Sequence, residues 1–330
     1  MREELGNLKR YLYSKVLNLW WAVSYGRLMR SGAMAEIENC RAAESTPVEV
    51  YWNEHTVHSR PFITASQSKR YLEWRFSVYP LFREFMQLYV EHRDKTILDY
   101  GCGPGDDMTG FAIYSRARKI IGCDVSEKAL RLAQHRLALH QVDPERLRLI
   151  RISDSLGKLP LEDSSVDYLH CAGVLHHISR PEYVLKEFYR VLKPASSACI
   201  MVYNYHSLWL HLYTAYDKMI IQNAFPGLNL EQAFTKNTDG EDCPISRCYR
   251  PEEFIEICRQ ANFQSEFVGG YLSSLELSLL TNLSERALGD ERLGEEHRGF
   301  MRSLTYDEQG YPIYKNKHAG IGGVYRLYKN

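Results

Sequence analysis

Apolar side chains change their spacing along this chain, and each change marks a different kind of element. In the first forty residues Leu5, Leu8, Leu12, Val16, Leu19 and Trp20 recur at helical spacing, with Trp21 and Tyr25 widening the stripe. Residues 41–60 look irregular, with Pro47, Asn53 and the run His55 to His58. A second helical region spans Ser66 to His92 on Tyr71, Leu72, Trp74, Phe76, Leu81, Phe82, Phe85 and Leu88, and Pro80 should break or kink it. At Thr96 the pattern becomes short apolar runs: Thr96–Tyr100, Lys119–Asp124, Leu147–Ile152, Val166–Cys171 and Ser197–Tyr203. Helix-compatible stretches (Asp107–Arg118, Ser126–His140, Pro181–Leu192) fill the gaps between several of them. Such alternation predicts an α/β fold with a doubly wound, mostly parallel sheet, which binds ligands at the carboxyl ends of its strands.

Beyond Asn204 the rhythm lapses to about residue 250, the length of a lid or insertion rather than a turn. It resumes with a helix at Pro251–Gln260, a strand at Gln264–Val268, a helical stretch from Leu272 to Leu304 with two glycine interruptions, and a last strand at Gly322–Tyr328. This divides the chain into a helical cap over 1–92 and a sheet domain over 93–330, with insertions at about 205–250 and 272–318.

Composition narrows the function classes. The chain has 330 residues, 45% apolar and 25% charged, as in ordinary globular proteins. Its 41 basic and 41 acidic residues cancel, which argues against a nucleic-acid partner. Eight scattered cysteines, several within expected strands, suit reduced thiols in a cytoplasmic protein. Cys243 and Cys248, with Cys258 or His297, lack the paired spacing of a zinc site, so no metal is expected. No apolar run approaches the ~20 residues of a membrane span, and the N-terminus lacks a signal-peptide pattern. Between Leu5 and Met34, however, stand Lys9, Arg10, Lys15, Arg27 and Arg30 with no acid. We read this basic helix as a cap with a solvated face; a membrane-surface or partner-binding helix is the alternative.

The chemistry begins where the first of these strands runs into Asp99-Tyr100-Gly101-Cys102-Gly103-Pro104-Gly105. Glycines between a strand and a helix bring backbone N–H groups to a ligand. The spacing Gly101-x-Gly103-x-Gly105, with Asp106 in place of a third fingerprint glycine, does not fit a dinucleotide site. Asp99 would repel a pyrophosphate and suits a cationic, amino-acid-bearing ligand. Asp124 ends the next strand, where a carboxylate accepts both hydroxyls of a ribose, and Asp154-Ser155 follows the third, within reach of an adenine amino group. Any one strand-end acid is commonplace as a cap or turn; three in succession form a pattern.

Asp99 to Gly105, Cys123-Asp124-Val125-Ser126, Asp154 to Pro160, Val166-Asp167-Tyr168 and Gly173-Val174-Leu175-His176-His177 resemble the successive motifs of class I S-adenosylmethionine (SAM)-dependent methyltransferases. The similarity is to the branch that includes ubiquinone/menaquinone-type enzymes, and Glu187 to Pro194 resembles that branch too. It covers residues 95–205. It implies a seven-stranded sheet with the last strand antiparallel, and SAM as cofactor. It further implies Gly101, Gly103 and Gly105 against methionine and ribose, Asp124 on the ribose, Val125 against the adenine, Asp154 and Ser155 at the adenine edge, and Cys171 and Ala172 beside the methionyl portion. Arg75 or Tyr71 would reach the methionine carboxylate. The acidic pair Asp106-Asp107 departs from most such loops.

For the methyl acceptor the expectation is a small molecule, methylated at oxygen. The alternatives are a macromolecular or lipid-linked acceptor, or a SAM-binding subunit without activity. A hydroxyl acceptor needs a base. Candidates near the fourth and fifth strand ends are His176, His177, Tyr203, Tyr205 and His206, of which His176 and then His206 are preferred; structural use of the histidine pair is the competing reading. Asp239-Gly240-Glu241-Asp242, with Arg247 and Tyr249, would bind a polar acceptor or form a solvated loop. Oligomeric state is left open.

Overall fold

The structure is a computed structural model describing residues 20, 21, 23–27, 34–40, 45–154 and 158–330. Most of the expected N-terminal helix, and Ser155, lie outside the described residues. The strands are β1 (Ile37–Asn39), β2 (Thr96–Tyr100), β3 (Lys119–Asp124), β4 (Leu147–Arg151), β5 (Val166–Ala172), β6 (Leu192–Asn204), β7 (Cys248–Tyr249), β8 (Gln264–Tyr271), β9 (Thr305–Tyr306), β10 (Pro312–Tyr314), β11 (Lys317–His318) and β12 (Gly322–Tyr328). The main sheet runs β1-β4-β3-β2-β5-β6-β12-β8, with β7 paired to β6. Neighbours from β1 to β6 are parallel, and β12 is antiparallel to both β6 and β8.

Alternation of side chains explains why this sheet is covered on both faces. Ile97, Ile120, Leu149 and Cys199 point to one side, and their successors Leu98, Ile121, Ile150 and Ile200 point to the other. The first face packs on helices α4 (Asp106–Tyr114) and α5 (Glu127–Leu139) through Met108, Phe111, Leu130 and Leu137. The second packs on α6 (Pro181–Val191) and α8 (Pro251–Gln260) through Leu185, Phe188, Phe254 and Cys258. Acids at the strand ends are thereby held at one rim of a rigid layer.

The seven expected strands are present, and two short ones extend them. Residues 37–39, expected as helix, form edge strand β1 instead. Three residues carry no readable period; pairing with the open edge of β4 decides their conformation, reinforced by Glu38 on Arg148 at 2.7 and 2.8 Å. Residues 47–54, expected to be irregular, form helix α1 (Pro47–Glu54), capped by the Thr46 hydroxyl on the Glu49 N–H with Pro47 in the first turn. Such a cap contributes about 1 kcal/mol. Helix α2 (Ala65–Val78) and the short α3 (Phe82–Phe85) flank Pro80 as expected.

The rhythmless stretch after Asn204 holds a π-helix, Trp209–Ile221, and α7 (Leu230–Asp239). The π segment is apolar on nearly every side, so it lacks a 3.6-residue stripe. It packs through Leu208, Leu212, Ala215 and Tyr216 on α9 (Ser274–Gly289) and α10 (Glu295–Arg302). No helix among the described residues is long and apolar enough to cross a membrane.

Candidate functional site

At the carboxyl rim of β2–β6 lies a cavity of about 480 Å³. One wall is the glycine loop. Gly101 has φ +73° and approaches Val174 so closely that a Cβ would lie 2.1 Å from its methyl, which excludes any side chain there. Gly103, at φ +51°, donates its N–H to Asp124 Oδ2 at 2.8 Å, and nothing stands within 4 Å of where its Cβ would be. Gly105 starts α4 and touches Ala133, and it does not line the cavity.

The three strand-end acids face this space. Asp124 accepts Gly103 N–H on one oxygen and Ser126 N–H on the other, each at 2.8 Å. Each carboxylate oxygen has a second lone pair, which leaves capacity for a ligand. Burial raises its pKa against those hydrogen bonds. Asp99 is buried, and its Oδ2 has no hydrogen-bond partner. Burial likewise pushes its pKa up. Asp154 follows β4, and its N–H donates to Glu49 of α1 at 2.9 Å; Glu49 also accepts the Ser153 hydroxyl. Val125 lines the cavity, Cys171 does not: its side chain is fully buried in the core, and Ala172 and Gly173 take the place expected for it.

Tyr71 and Arg75, four residues apart on α2, both line the cavity. Burial pushes Tyr71 up to about 12, so it is a neutral donor. Arg75 Nη1 binds Asp107 Oδ1 at 2.8 Å, and Asp107 Oδ2 meets His170 Nε2 at 3.1 Å in the buried layer below. Burial would raise Asp107, but Arg75 and His170 outweigh it and hold it below the carboxylate range, while Asp107 lifts His170 against its own burial. Asp106 pairs with the buried Arg136, which also donates to Ser68 Oγ at 2.8 Å. Each acid of the unusual pair thus has its own guanidinium.

Both preferred histidines fall elsewhere. His176 is fully buried, its ring tilted against that of Tyr203 with centres 3.8 Å apart, and neither nitrogen has a partner; it does not line the cavity. Burial holds it neutral, well below the usual histidine range. His206 borders a separate cavity of about 90 Å³ with Tyr314, Lys315 and His318. Asn204 sends it there: its side chain accepts His206 N–H at 3.1 Å and donates to His206 O at 2.9 Å, turning the chain away from the rim. His177 is the histidine that lines the main cavity, beside Tyr203, Trp209 and Asp239, with Trp52 of α1 on its ring at 4.7 Å. Of the acidic segment 239–242, Asp239 turns inward and Glu241 and Asp242 are exposed. His177, Asp239 and Cys243 bring one nitrogen, one oxygen and one sulfur within 4.8 Å. The thiol lies 4.0 Å from Nδ1, the carboxylate 3.7 Å from Nε2, and Nδ1 is already bonded to the Ile245 carbonyl at 2.7 Å.

Residues 91–278, more than half of the chain, match a family model described as a methyltransferase domain. The chain belongs to this methyltransferase-domain family, and SAM is the cofactor of the domain. It is similar to an uncharacterized methyltransferase of Schizosaccharomyces pombe, 34% identical over 121 residues that cover 35% of this chain and 42% of the other. It is also similar to the ubiquinone biosynthesis O-methyltransferase of Chromobacterium violaceum, 28% identical over 35% of this chain and 47% of that protein. The matched region thus spans less than half the length of these curated relatives. Among solved structures, the Haemonchus contortus phosphoethanolamine N-methyltransferase 2 in complex with SAM aligns at a TM-score of 0.49 and 15% identity, over 87% of this chain and 60% of that one. The residues present fit SAM. Asp99 offers a buried, unpartnered acceptor to a cationic group, and Gly103 leaves open space beside Asp124.

Proposed function

We propose that this protein transfers the methyl group of SAM to a hydroxyl oxygen of a small molecule. The observation that carries this reading is a single cavity joining the strand-end acids to a second polar corner at His177, Tyr203 and Asp239. Its walls include Trp52 of α1 and Trp209 of the π-helix, elements that lie over the sheet rim and would exclude water and large acceptors. In this reading Asp99, Gly101, Gly103, Asp124, Val125 and Asp154 hold SAM, with the free donors of Arg75 toward its carboxylate. SAM, when bound, supplies a methyl group already activated by its sulfonium. The protein's remaining task is to align an acceptor and receive its proton. The corner presents hydrogen-bond acceptors, the Asp239 carboxylate and one imidazole nitrogen, which suit a hydroxyl donor. The Chromobacterium relative, an O-methyltransferase of ubiquinone biosynthesis, points the same way.

Calorimetric titration with SAM, followed by mass-spectrometric screening of phenols, alcohols and amines as acceptors, tests the proposal. We expect saturable SAM binding and an O-methyl product. Binding without O-methylation of any small acceptor, or methylation of protein or lipid alone, overturns it.

A further inference from the structure

We infer that His177 is the catalytic base of this site and that Asp239 positions and stabilises it. The inference rests on the hydroxyl-methylation reading. It starts from the proton inventory of the corner. His177 Nδ1 lies 2.7 Å from the Ile245 carbonyl oxygen, which can only accept, so Nδ1 carries the ring hydrogen. In the neutral ring Nε2 then presents a bare lone pair. Asp239 Oδ1, also an acceptor, stands 3.7 Å from it. Asp239 is held as an acceptor from behind: Tyr203 donates its hydroxyl to Oδ1 at 2.8 Å, and Ser246 donates to Oδ2 at 2.6 Å. Two acceptors face each other at the cavity wall with no hydrogen between them. A hydroxyl donor arriving there supplies the missing hydrogen, and the distance leaves room for it.

The electrons balance without another reactant. As the acceptor oxygen forms its bond to the methyl carbon, the C–S pair stays on sulfur and cancels the sulfonium charge. The acceptor's O–H pair stays on oxygen while its proton passes to Nε2. The resulting imidazolium keeps its Nδ1–H···O bond and now faces the carboxylate, which stabilises it; the proton leaves to solvent with product.

The ionisable groups around the ring are Asp239 from α7, Tyr203 from β6, Cys243 from the following loop with its sulfur 4.0 Å from Nδ1, and His176 from the same turn at 4.1 Å between ring centres. Burial lowers the His177 pKa and Asp239 opposes it, so the ring is a neutral acceptor before the reaction. His176 has no such arrangement, being walled in with both nitrogens unpartnered.

Two experiments test this. In protein labelled with ¹⁵N-histidine, NMR should show His177 with hydrogen on Nδ1 and none on Nε2 at neutral pH, and its titration should move to lower pH in Asp239→Asn. The opposite tautomer, or a titration indifferent to Asp239, overturns the inference without any acceptor. With the hydroxyl acceptor from the screen, His177→Gln should lower kcat at least a hundredfold, the lower end of the range for a positioned base. SAM affinity and acceptor KM should change less than threefold, and His177→Asn should behave alike. In Asp239→Asn, kcat should fall and the acidic limb of its pH profile should shift to lower pH. A His177→Gln enzyme that keeps its kcat sinks the assignment. Failure of the hydroxyl reading itself shows separately, as a wild-type enzyme that makes no O-methyl product.

Discussion

Replacing Asp107 by Asn removes one negative charge from between the Arg75 guanidinium and the buried His170 ring, whose pKa that charge raises. Asp107 is 7% exposed and His170 fully buried, and the Arg75 side chain is 15% exposed, so solvent can replace little of what is lost. Removing one partner of a buried pair costs about 3–5 kcal/mol, because the remaining charge stays desolvated and uncompensated. Asparagine keeps the shape and can still accept one hydrogen bond, which puts the expected loss near 3 kcal/mol. Urea denaturation followed by far-UV circular dichroism measures it. Adding Arg75→Met to the variant should recover part of the loss, since no guanidinium is then left unpaired. The pH dependence carries a second signature. His170 is raised above its unfolded value, so its contribution is full below about pH 6.5 and is lost as pH rises through its folded pKa. Asp107 is depressed, so its contribution is present above about pH 3.9 and is lost as pH falls through its folded pKa. Both slopes should shrink in Asp107→Asn. A loss under about 1 kcal/mol, or an unchanged pH profile, would refute the view that this relay holds Arg75 at the cavity.

Three further outcomes are expected. Asp124→Ala should abolish calorimetric SAM binding in a protein that still folds, since two charge-assisted hydrogen bonds of about 1.5–3 kcal/mol each are removed; unchanged affinity would unseat the ribose assignment. SAM binding should release protons and tighten as pH rises through the elevated pKa of Asp99, because a cationic ligand favours its charged form; equal apparent heats in buffers of different ionisation enthalpy would contradict this. The wild-type protein should not co-sediment with anionic liposomes, and strong, salt-sensitive binding would revive the membrane reading of the basic N-terminal segment.

Strands β2 to β6, β8 and β12 were legible because each contains a short apolar run, a local pattern, and β2, β3 and β5 lead into or end on a glycine or an acid; β7 and β9 to β11, of two or three residues, carry no such run. What the sequence hid depends on direction and on distant partners. His176 and His177 are neighbours in a tight turn, Leu175–His177, that rotates about 120° per residue, so one ring enters the core and the other the cavity. No spacing rule chooses between them. His206 was misplaced because the Asn204 side chain redirects the backbone. Glu49 reaches Ser153 and Asp154 across more than a hundred residues, and only the fold brings them together. Helix α1 itself was readable in principle: Thr46-Pro47-x-Glu49 is a start signal that the apparent irregularity of residues 41–60 obscured.

That eight-residue helix touches the cavity at both of its ends. Glu49 holds the loop after β4, beside Asp154, while Trp52 lies on His177 and the neighbouring Tyr51 hydroxyl donates to the Asp239 backbone carbonyl. On the proposed reading, a displacement of α1 is therefore felt at the SAM end and the acceptor end together. Thermodynamic reciprocity then fixes a relation between the two ligands: whatever factor acceptor binding contributes to SAM affinity through α1, SAM contributes to acceptor affinity. Replacing α1 by a foreign helix would break that linkage even where every residue of the glycine loop is kept.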